Sequence, residues 1–402
     1  MLKNNKNNIL TVLDICSSKV VCIIARQEGK NKNEILGLGY VKADGIRGGI
    51  VSDVNLAQMS IRNAVSVAQK NASVQSSKVH VSISANYLIS QRITTEITIF
   101  SKEITHRELN KLLLDVIQIC KNQQLRVIHT FVCNYILDGH HGITNPIGMF
   151  GTKLACDFHI LAATTNSILN LESVIAKAGL EVESYLSSTY GAGLATLTKD
   201  DIENGAILLD FGSEVTSIGV FENDQLVFVD AISIGGKHIT RDISKILCIP
   251  KSESERIKNL HGSAVNHDVD LNEFIDVKVQ GESLIISRNQ LIDIIHARVE
   301  EILTIVESKI QDFKINNFII TGGTARMPCL QDLIADRFKT KVRIGYPQGS
   351  MRSQNNNLEL VTSLGVIDHI NRNLEDIESA MPSKENLSGI RQYINWIKQN
   401  IL

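Results

Sequence analysis

Two segments far apart in this chain share one design, a strand that ends in an aspartate, a tight turn of small and hydroxyl residues, and a second strand. The first runs from Ile9 to Ile24 through the turn Asp14-Ile-Cys-Ser-Ser-Lys19. The second runs from Ala206 to Asp210, through Phe-Gly-Ser-Glu-Val-Thr216, into Ser217–Phe221, and continues past a turn at Glu222–Gln225 into a third strand, Leu226 to Ile232. Such an internal repeat of architecture implies two related lobes. At 402 residues, 43% of them hydrophobic, the chain is long enough for at least two cored lobes.

Helical periods fill the intervals: Leu56 to Gln69, Arg107 to Lys121, Ile168 to Ala178, Ser188 to Thr198, Ile239 to Leu247 and Gln290 to Gln311. Strands alternating with helices predict α/β lobes whose mixed sheets are covered by helices. The exception is Val79 to Ile160. Strand patterns at Val79–Ser84, Gln91–Ile99 and Val127–Leu137 surround one helix there, which reads as an inserted α+β module. The expected divisions are a first lobe at 1–83 and 161–203, the inserted subdomain at 84–160, a second lobe at 204–232 and 313–367, a further subdomain at 233–312, and a linker at 368–386.

After the linker, Leu387, Ile390, Ile394, Ile397 and Ile401 recur at helical spacing, with Trp396 and the cations Arg391 and Lys398 alongside. An amphipathic helix of this kind either docks on its own domain or lies in a membrane interface, and the rest of the chain favours the membrane. No run approaches the roughly 18 apolar residues of a spanning helix. Asp14 breaks the only N-terminal run that resembles a signal core. Seven scattered cysteines without a Cys-x-x-Cys pair point to reduced thiols rather than a zinc site. A net charge of −2 gives no general attraction to nucleic acid, so any bound anion needs a local site.

The turns supply that site. A strand ending in Asp followed by small residues aims backbone N–H groups and a carboxylate at one spot, where the N–H groups suit phosphate oxygens and the Asp suits a hydrated Mg²⁺. Two such turns, from Asp14 and Asp210, would clamp a nucleotide's phosphates from both sides. A third element, Phe318-Ile-Ile-Thr-Gly-Gly-Thr-Ala-Arg-Met-Pro-Cys-Leu330, is an apolar strand ending in a double glycine before a helix, which lets backbone approach a flat ligand. Either kind of turn alone is common; the three in this order are not.

Together these residues resemble the two phosphate loops and the adenosine loop of the actin, heat-shock chaperone and sugar-kinase superfamily, and within it the FtsA family of bacterial cell-division proteins. Supporting segments include Gly45-Ile-Arg-Gly-Gly-Ile-Val-Ser-Asp53, Ser188–Ala195, Gly235-Gly-Lys-His-Ile-Thr-Arg-Asp-Ile243, Ser254–Gly262 and Val342–Gly345. The resemblance implies a two-lobed, actin-like (ribonuclease H-like) ATP-binding α/β fold with an inserted subdomain and a C-terminal membrane-targeting helix. It assigns Asp14, Ser17, Ser18 and Lys19 to the first phosphate loop and Asp210, Gly212 and Thr216 to the second. Gly322, Gly323 and Ala325 fall in the adenosine loop, and Glu255 with Lys258 near the ribose and base.

The cofactors implied are ATP and Mg²⁺, with Asp14 and Asp210 toward the metal. Arg288 and Arg298 match positions that grip the acidic C-terminal peptide of the tubulin-like protein FtsZ; the plain alternative is two solvated helix-face cations. Ile390, Ile394, Trp396, Ile397, Lys398 and Ile401 would meet an anionic membrane. The implied role is a self-polymerising scaffold, at most a slow ATPase, tethering FtsZ filaments to the cytoplasmic face of the inner membrane at the septum. The alternatives are an actin-like adaptor of pilus or secretion assembly and a superfamily kinase or ATPase. Two departures from the pattern stand out: Cys16 replaces a glycine, and Glu214 places a carboxylate in the second loop, where it would repel a γ-phosphate.

Overall fold

The computed structural model describes residues 9–27, 33–223, 225–266, 273–279, 281–348 and 357–380. The chain opens with β1 (Ile9–Ile15), β2 (Lys19–Gln27) and β3 (Asn33–Lys42), an antiparallel meander in which Asp14 pairs with Val21 and Ile15 with Val20. A small hairpin, β4 (Ile46–Arg47) and β5 (Ile50–Val51), leads into α1 (Val54–Ala72), whose N-terminus is capped by the Asp53 carboxylate. The helix lies close on β3 because Gly37 and Gly39 carry no side chain. A Cβ at either would fall 2.2 or 1.8 Å from the Ala68 or Ala64 carbonyl oxygen. Strand β6 (Lys78–Ile83) then returns parallel to β1.

The inserted module follows, with β7 (Leu88–Glu103), α2 (His106–Asn122), β8 (Leu125–Leu137), β9 (His140–Ile143) and β10 (Phe150–Thr164). Its antiparallel sheet, ordered β7-β10-β8-β9, covers α2 with a core of its own that includes Ile97, Leu112, Val116 and Phe158. The chain re-enters the first lobe through α3 (Thr165–Lys177), β11 (Glu181–Ser187) and α4 (Ser188–Thr196), then crosses by the short α5 (Lys199–Glu203).

The second lobe repeats the plan. Strands β12 (Ala206–Phe211), β13 (Thr216–Glu222) and β14 (Gln225–Ile232) form the meander. A further subdomain contains α6 (Gly236–Ile246), α7 (Lys251–His261), the hairpin β15 (Phe274–Val279) and β16 (Glu282–Ser287), and α8 (Arg288–Ile310). Strand β17 (Asn317–Thr321), α9 (Leu330–Phe338) and β18 (Lys341–Ile344) complete the lobe, and α10 (Val361–Ala380) returns to the first one. The two sheets run β3-β2-β1-β6-β11 and β14-β13-β12-β17-β18, with the same parallel and antiparallel pairings at every step. Their central strands are almost continuously apolar because helices cover both faces.

Helix α10 covers the face of the first sheet that looks toward the second lobe, setting Leu364 and Ile367 among Val12, Val21 and Ile23. It crosses α4 where two glycines meet: a Cβ at Gly365 would lie 1.8 Å from the Gly191 carbonyl oxygen.

The strand at Val79–Ser84, whose pattern runs on into the module's, pairs with β1 and β11 and so lies in the first lobe's sheet, on the side of residue 83 where the expected division has it. Two expectations change. The module's long return strand β10 is absent from the sequence reading, although Leu154, Cys156, Phe158 and Ile160 alternate along it and face the module's core. The linker expected from 368 begins inside α10, because Ile370 and Asn371 are buried and Asn371 bonds the Asn33 side chain.

An interlobe cleft as candidate functional site

Because the two meanders are built alike, β1 and β12 both end at the opening between the lobes, and Asp14 and Asp210 line one cleft of about 550 Å³. The following turns close tightly: the Cys16 N–H donates to the Lys19 carbonyl at 2.9 Å and the Gly212 N–H to the Val215 carbonyl at 3.0 Å. Strand β17 delivers Gly322 beside them with φ +89°, a left-handed backbone that favours glycine. A Cβ there would stand 2.3 Å from Asp210 Oδ1 and 2.6 Å from the Phe211 carbonyl oxygen, whereas one at Gly323 would meet nothing within 4 Å. The first glycine is needed for packing, and the second leaves open room beside the backbone.

Burial pushes the Asp14 carboxyl up despite the Cys16 thiol, 3.3 Å away, and the charge of Lys19. Burial and the neighbouring Asp14 charge push Asp210 up to about 6, with Lys19 opposing. The pair is therefore under mutual repulsion that a cation would relieve. Burial and Asp14 also raise the Cys16 thiol well above its ordinary range, so it stays protonated. Lys19 Nζ lies 3.6 Å from Glu359 and 5.5 Å from the centre of the Tyr40 ring, and the Tyr40 hydroxyl donates to Glu359 at 2.8 Å. On the far wall Lys258 bonds Glu255 at 2.8 Å and the Gly236 carbonyl at 3.2 Å; burial raises the Glu255 pKa, but Lys258 and Thr240 outweigh it and leave it lowered.

The cleft brings together Asp14, Ser17, Ser18, Lys19, Asp210, Gly212, Glu255, Lys258, Gly322 and Gly323. Two expected residues do not line it. Thr216 is buried and its hydroxyl donates to the Ile234 carbonyl at 2.8 Å, because the turn residue Val215 rather than Thr216 faces the cleft. Ala325 packs into the second lobe's core.

Arg288 bonds Glu273 and the His261 carbonyl, and Arg298 bonds Asp242 and Glu301. Each has a side chain only 25% exposed, so neither is a freely solvated cation. The candidate membrane residues Ile390, Ile394, Trp396, Ile397, Lys398 and Ile401 lie outside the described residues. No helix among the described residues is long and apolar enough to cross a membrane.

Glu214, expected to repel a γ-phosphate, does not line the cleft: its carboxylate accepts the Gly48 N–H at 2.7 Å and pairs with Lys237 at 3.1 Å and Arg241 at 3.8 Å. Lys237, which does line the cleft, was missed. Its signal was the Gly235-Gly-Lys run, a glycine pair setting a lysine at the start of a helix.

A model of the family "Cell division protein FtsA" matches residues 207–365, and one described as the SHS2 domain inserted in FtsA matches residues 85–162. The chain is 32% identical over 368 residues to the cell division protein FtsA of Agrobacterium fabrum, covering 87% of this chain and 83% of that one. It is 29% identical over 351 residues to that of Bacillus subtilis, covering 85% and 80%. Among solved structures, the PilM–PilN type IV pilus biogenesis complex has a similar fold, with TM-score 0.63, 14% identity, and 89% of this chain and 96% of that chain covered. So does MreB5 of Spiroplasma citri bound to ADP, with TM-score 0.56, 13% identity, and 92% and 99% covered. With an actin-like fold, an FtsA-type insertion and relatives of this kind along most of its length, the chain belongs to the FtsA family of cell-division proteins.

Proposed function

We propose that this cell-division protein binds Mg-ATP between its lobes, polymerises, and tethers FtsZ filaments to the inner face of the cytoplasmic membrane. The observation that carries the nucleotide reading is the pair of equivalent strand ends, Asp14 and Asp210, facing one cleft beside a double glycine. The donors fit the group. Two repelling carboxylates suit a hydrated Mg²⁺, which is commonly held by one or two carboxylates with substrate phosphates completing its shell. Asp14 and Asp210 would hold the metal, whose charge would offset that of the phosphates. Ser17 and Ser18 would offer donors to phosphate, Gly212 would keep the second turn tight beside it, Lys19 would add positive charge, and Gly323 would leave room for a nucleoside. None of the cleft groups stands out as a positioned general base with an acceptor pocket, which supports a scaffold over a kinase. Isothermal titration with Mg-ATP tests the reading; the absence of saturable binding would reject it.

FtsZ is the proposed partner through its acidic C-terminal peptide, with Arg288 and Arg298 as the receiving cations. Because both already hold carboxylates, the peptide must compete with Glu273 and Asp242, and capture should be weak and salt-sensitive.

The membrane reading rests on the tail sequence. Partial burial of Ile390, Ile394, Trp396, Ile397 and Ile401 contributes on the order of 1 kcal/mol each, and Arg391 and Lys398 about 1 each near anionic lipid, before the cost of ordering the helix. A single tail then binds reversibly, and neighbouring tails on a filament convert weak contacts into avidity. Trp396→Glu is expected to move the protein from the pellet to the supernatant in co-sedimentation with anionic liposomes, leaving its unfolding temperature unchanged. Pelleting equal to wild type would mean that the tail docks on its own domain.

A further inference from the structure

We propose that Glu214 is a clasp between the lobes, and that it holds Lys237 over the phosphate loops as a further cation for a ligand's phosphates. The proposal deepens the nucleotide reading and depends on it for the identity of the ligand. Glu214 stands in the β12–β13 turn of the second lobe, and its Oε2 accepts the N–H of Gly48 at 2.7 Å from the β4–β5 turn of the first. Its Oε1 takes Lys237 Nζ at 3.1 Å. That same Nζ reaches back to the Ser17 carbonyl at 3.4 Å, inside the first phosphate loop. Two contacts therefore join the lobes, one made by the Glu214 carboxylate and the other by the lysine that it holds.

Lys237 has three N–H donors. One points to an acceptor on each lobe, and the third remains for an anion in the cleft that Lys237 lines. The side chain of Glu214 is only 11% exposed, where an unpaired carboxylate would be costly. Burial raises its pKa, but the Gly48 N–H, Lys237 and Arg241 overcome this and hold it below the ordinary range. It therefore remains an anion able to anchor the lysine.

The far end of the clasp is equally fixed. The Gly48 carbonyl accepts Asn86 Nδ2 at 2.8 Å and the Val51 N–H donates to the Tyr87 hydroxyl at 3.1 Å, both at the root of the inserted module. Gly48 itself has φ +54°. The hairpin tip grasped by Glu214 is thus tied to the segment from which that module departs.

Three variants of the full chain test the proposal: Glu214→Gln, Lys237→Met and Lys237→Arg. Glu214→Gln should speed amide hydrogen exchange at Gly48 at least tenfold. Lys237→Met should speed release of a fluorescent ATP analogue with Mg²⁺ at least tenfold, and Lys237→Arg should restore release to within threefold of wild type. Gly48 exchange within twofold of wild type in Glu214→Gln overturns the clasp, and analogue release within twofold in Lys237→Met overturns the phosphate role. If the wild-type chain fails to bind Mg-ATP at all, the nucleotide reading and the role of Lys237 fall together, while exchange at Gly48 still decides the clasp.

Discussion

Replacing Asp210 with Asn is expected to raise the unfolding temperature at pH 7.5 while abolishing Mg-ATP binding. Burial and the Asp14 charge push the Asp210 carboxyl to about 6 in the fold, against 3.8 when free. The folded chain therefore binds this proton more tightly than the unfolded chain does, and stability falls as pH rises from about 4 to about 6. Above that window the ionised carboxylate costs the fold on the order of 3 kcal/mol. Asn carries no charge and so recovers much of that cost, a gain of a few degrees that should disappear below pH 4. The same change removes one of the two carboxylates proposed to face the metal, and affinity should fall at least a hundredfold, about 3 kcal/mol. Calorimetric scans at pH 7.5 and 3.5, paired with nucleotide titrations, check both halves. A variant that melts lower at pH 7.5 would show that Asp210 is compensated within the protein, and one that binds Mg-ATP as wild type does would remove it from the site.

Gly322→Ala should be among the most destabilising single-methyl additions in the chain. The backbone has φ +89°, which alone disfavours any side chain, and the added Cβ would lie 2.3 Å from Asp210 Oδ1 and 2.6 Å from the Phe211 carbonyl oxygen. The strand end carrying Asp210 cannot retreat without breaking its pairing with β17. A loss of about 3 kcal/mol or more is expected, visible in urea denaturation. Gly323→Ala is the internal control, because its Cβ meets nothing within 4 Å. It should leave the denaturation midpoint nearly unchanged and weaken nucleotide binding. If the two variants behave alike, the tight packing at the double glycine is not what fixes the cleft.

The contrast between those neighbours shows what was legible in the sequence. The double glycine itself marked a close approach, and the two Asp-ended hairpins marked the lobes, because alternating apolar strands and small turn residues are local signals. Which glycine faces open space depends on where Asp210 and Phe211 arrive from a different strand. Thr216 was misplaced for a related reason: position in a motif does not say which neighbouring side chain faces inward, and Val215 takes the cleft side. Glu214 read as repulsive because its partners Gly48, Lys237 and Arg241 come from two other segments. Helix α10 reads partly as linker in the sequence because polar residues after Ile370 follow a helix whose earlier turns are apolar. Arg288 and Arg298 were found as cations, but their ion pairs with Glu273 and Asp242 required the fold.

The matching strand orders of the two sheets have a consequence for how such a protein can change. In the first lobe the large addition interrupts the step from the fourth strand in sequence, β6, to the fifth, β11. In the second lobe it interrupts the step from the third, β14, to the fourth, β17. The additions therefore occupy non-equivalent joints of a duplicated frame. Both come after the hairpins β1–β2 and β12–β13, which carry Asp14 and Asp210 on uninterrupted stretches of chain. Either addition is consequently open to exchange between relatives, or to replacement by design, without re-registering the strands that bring the two aspartates to one cleft.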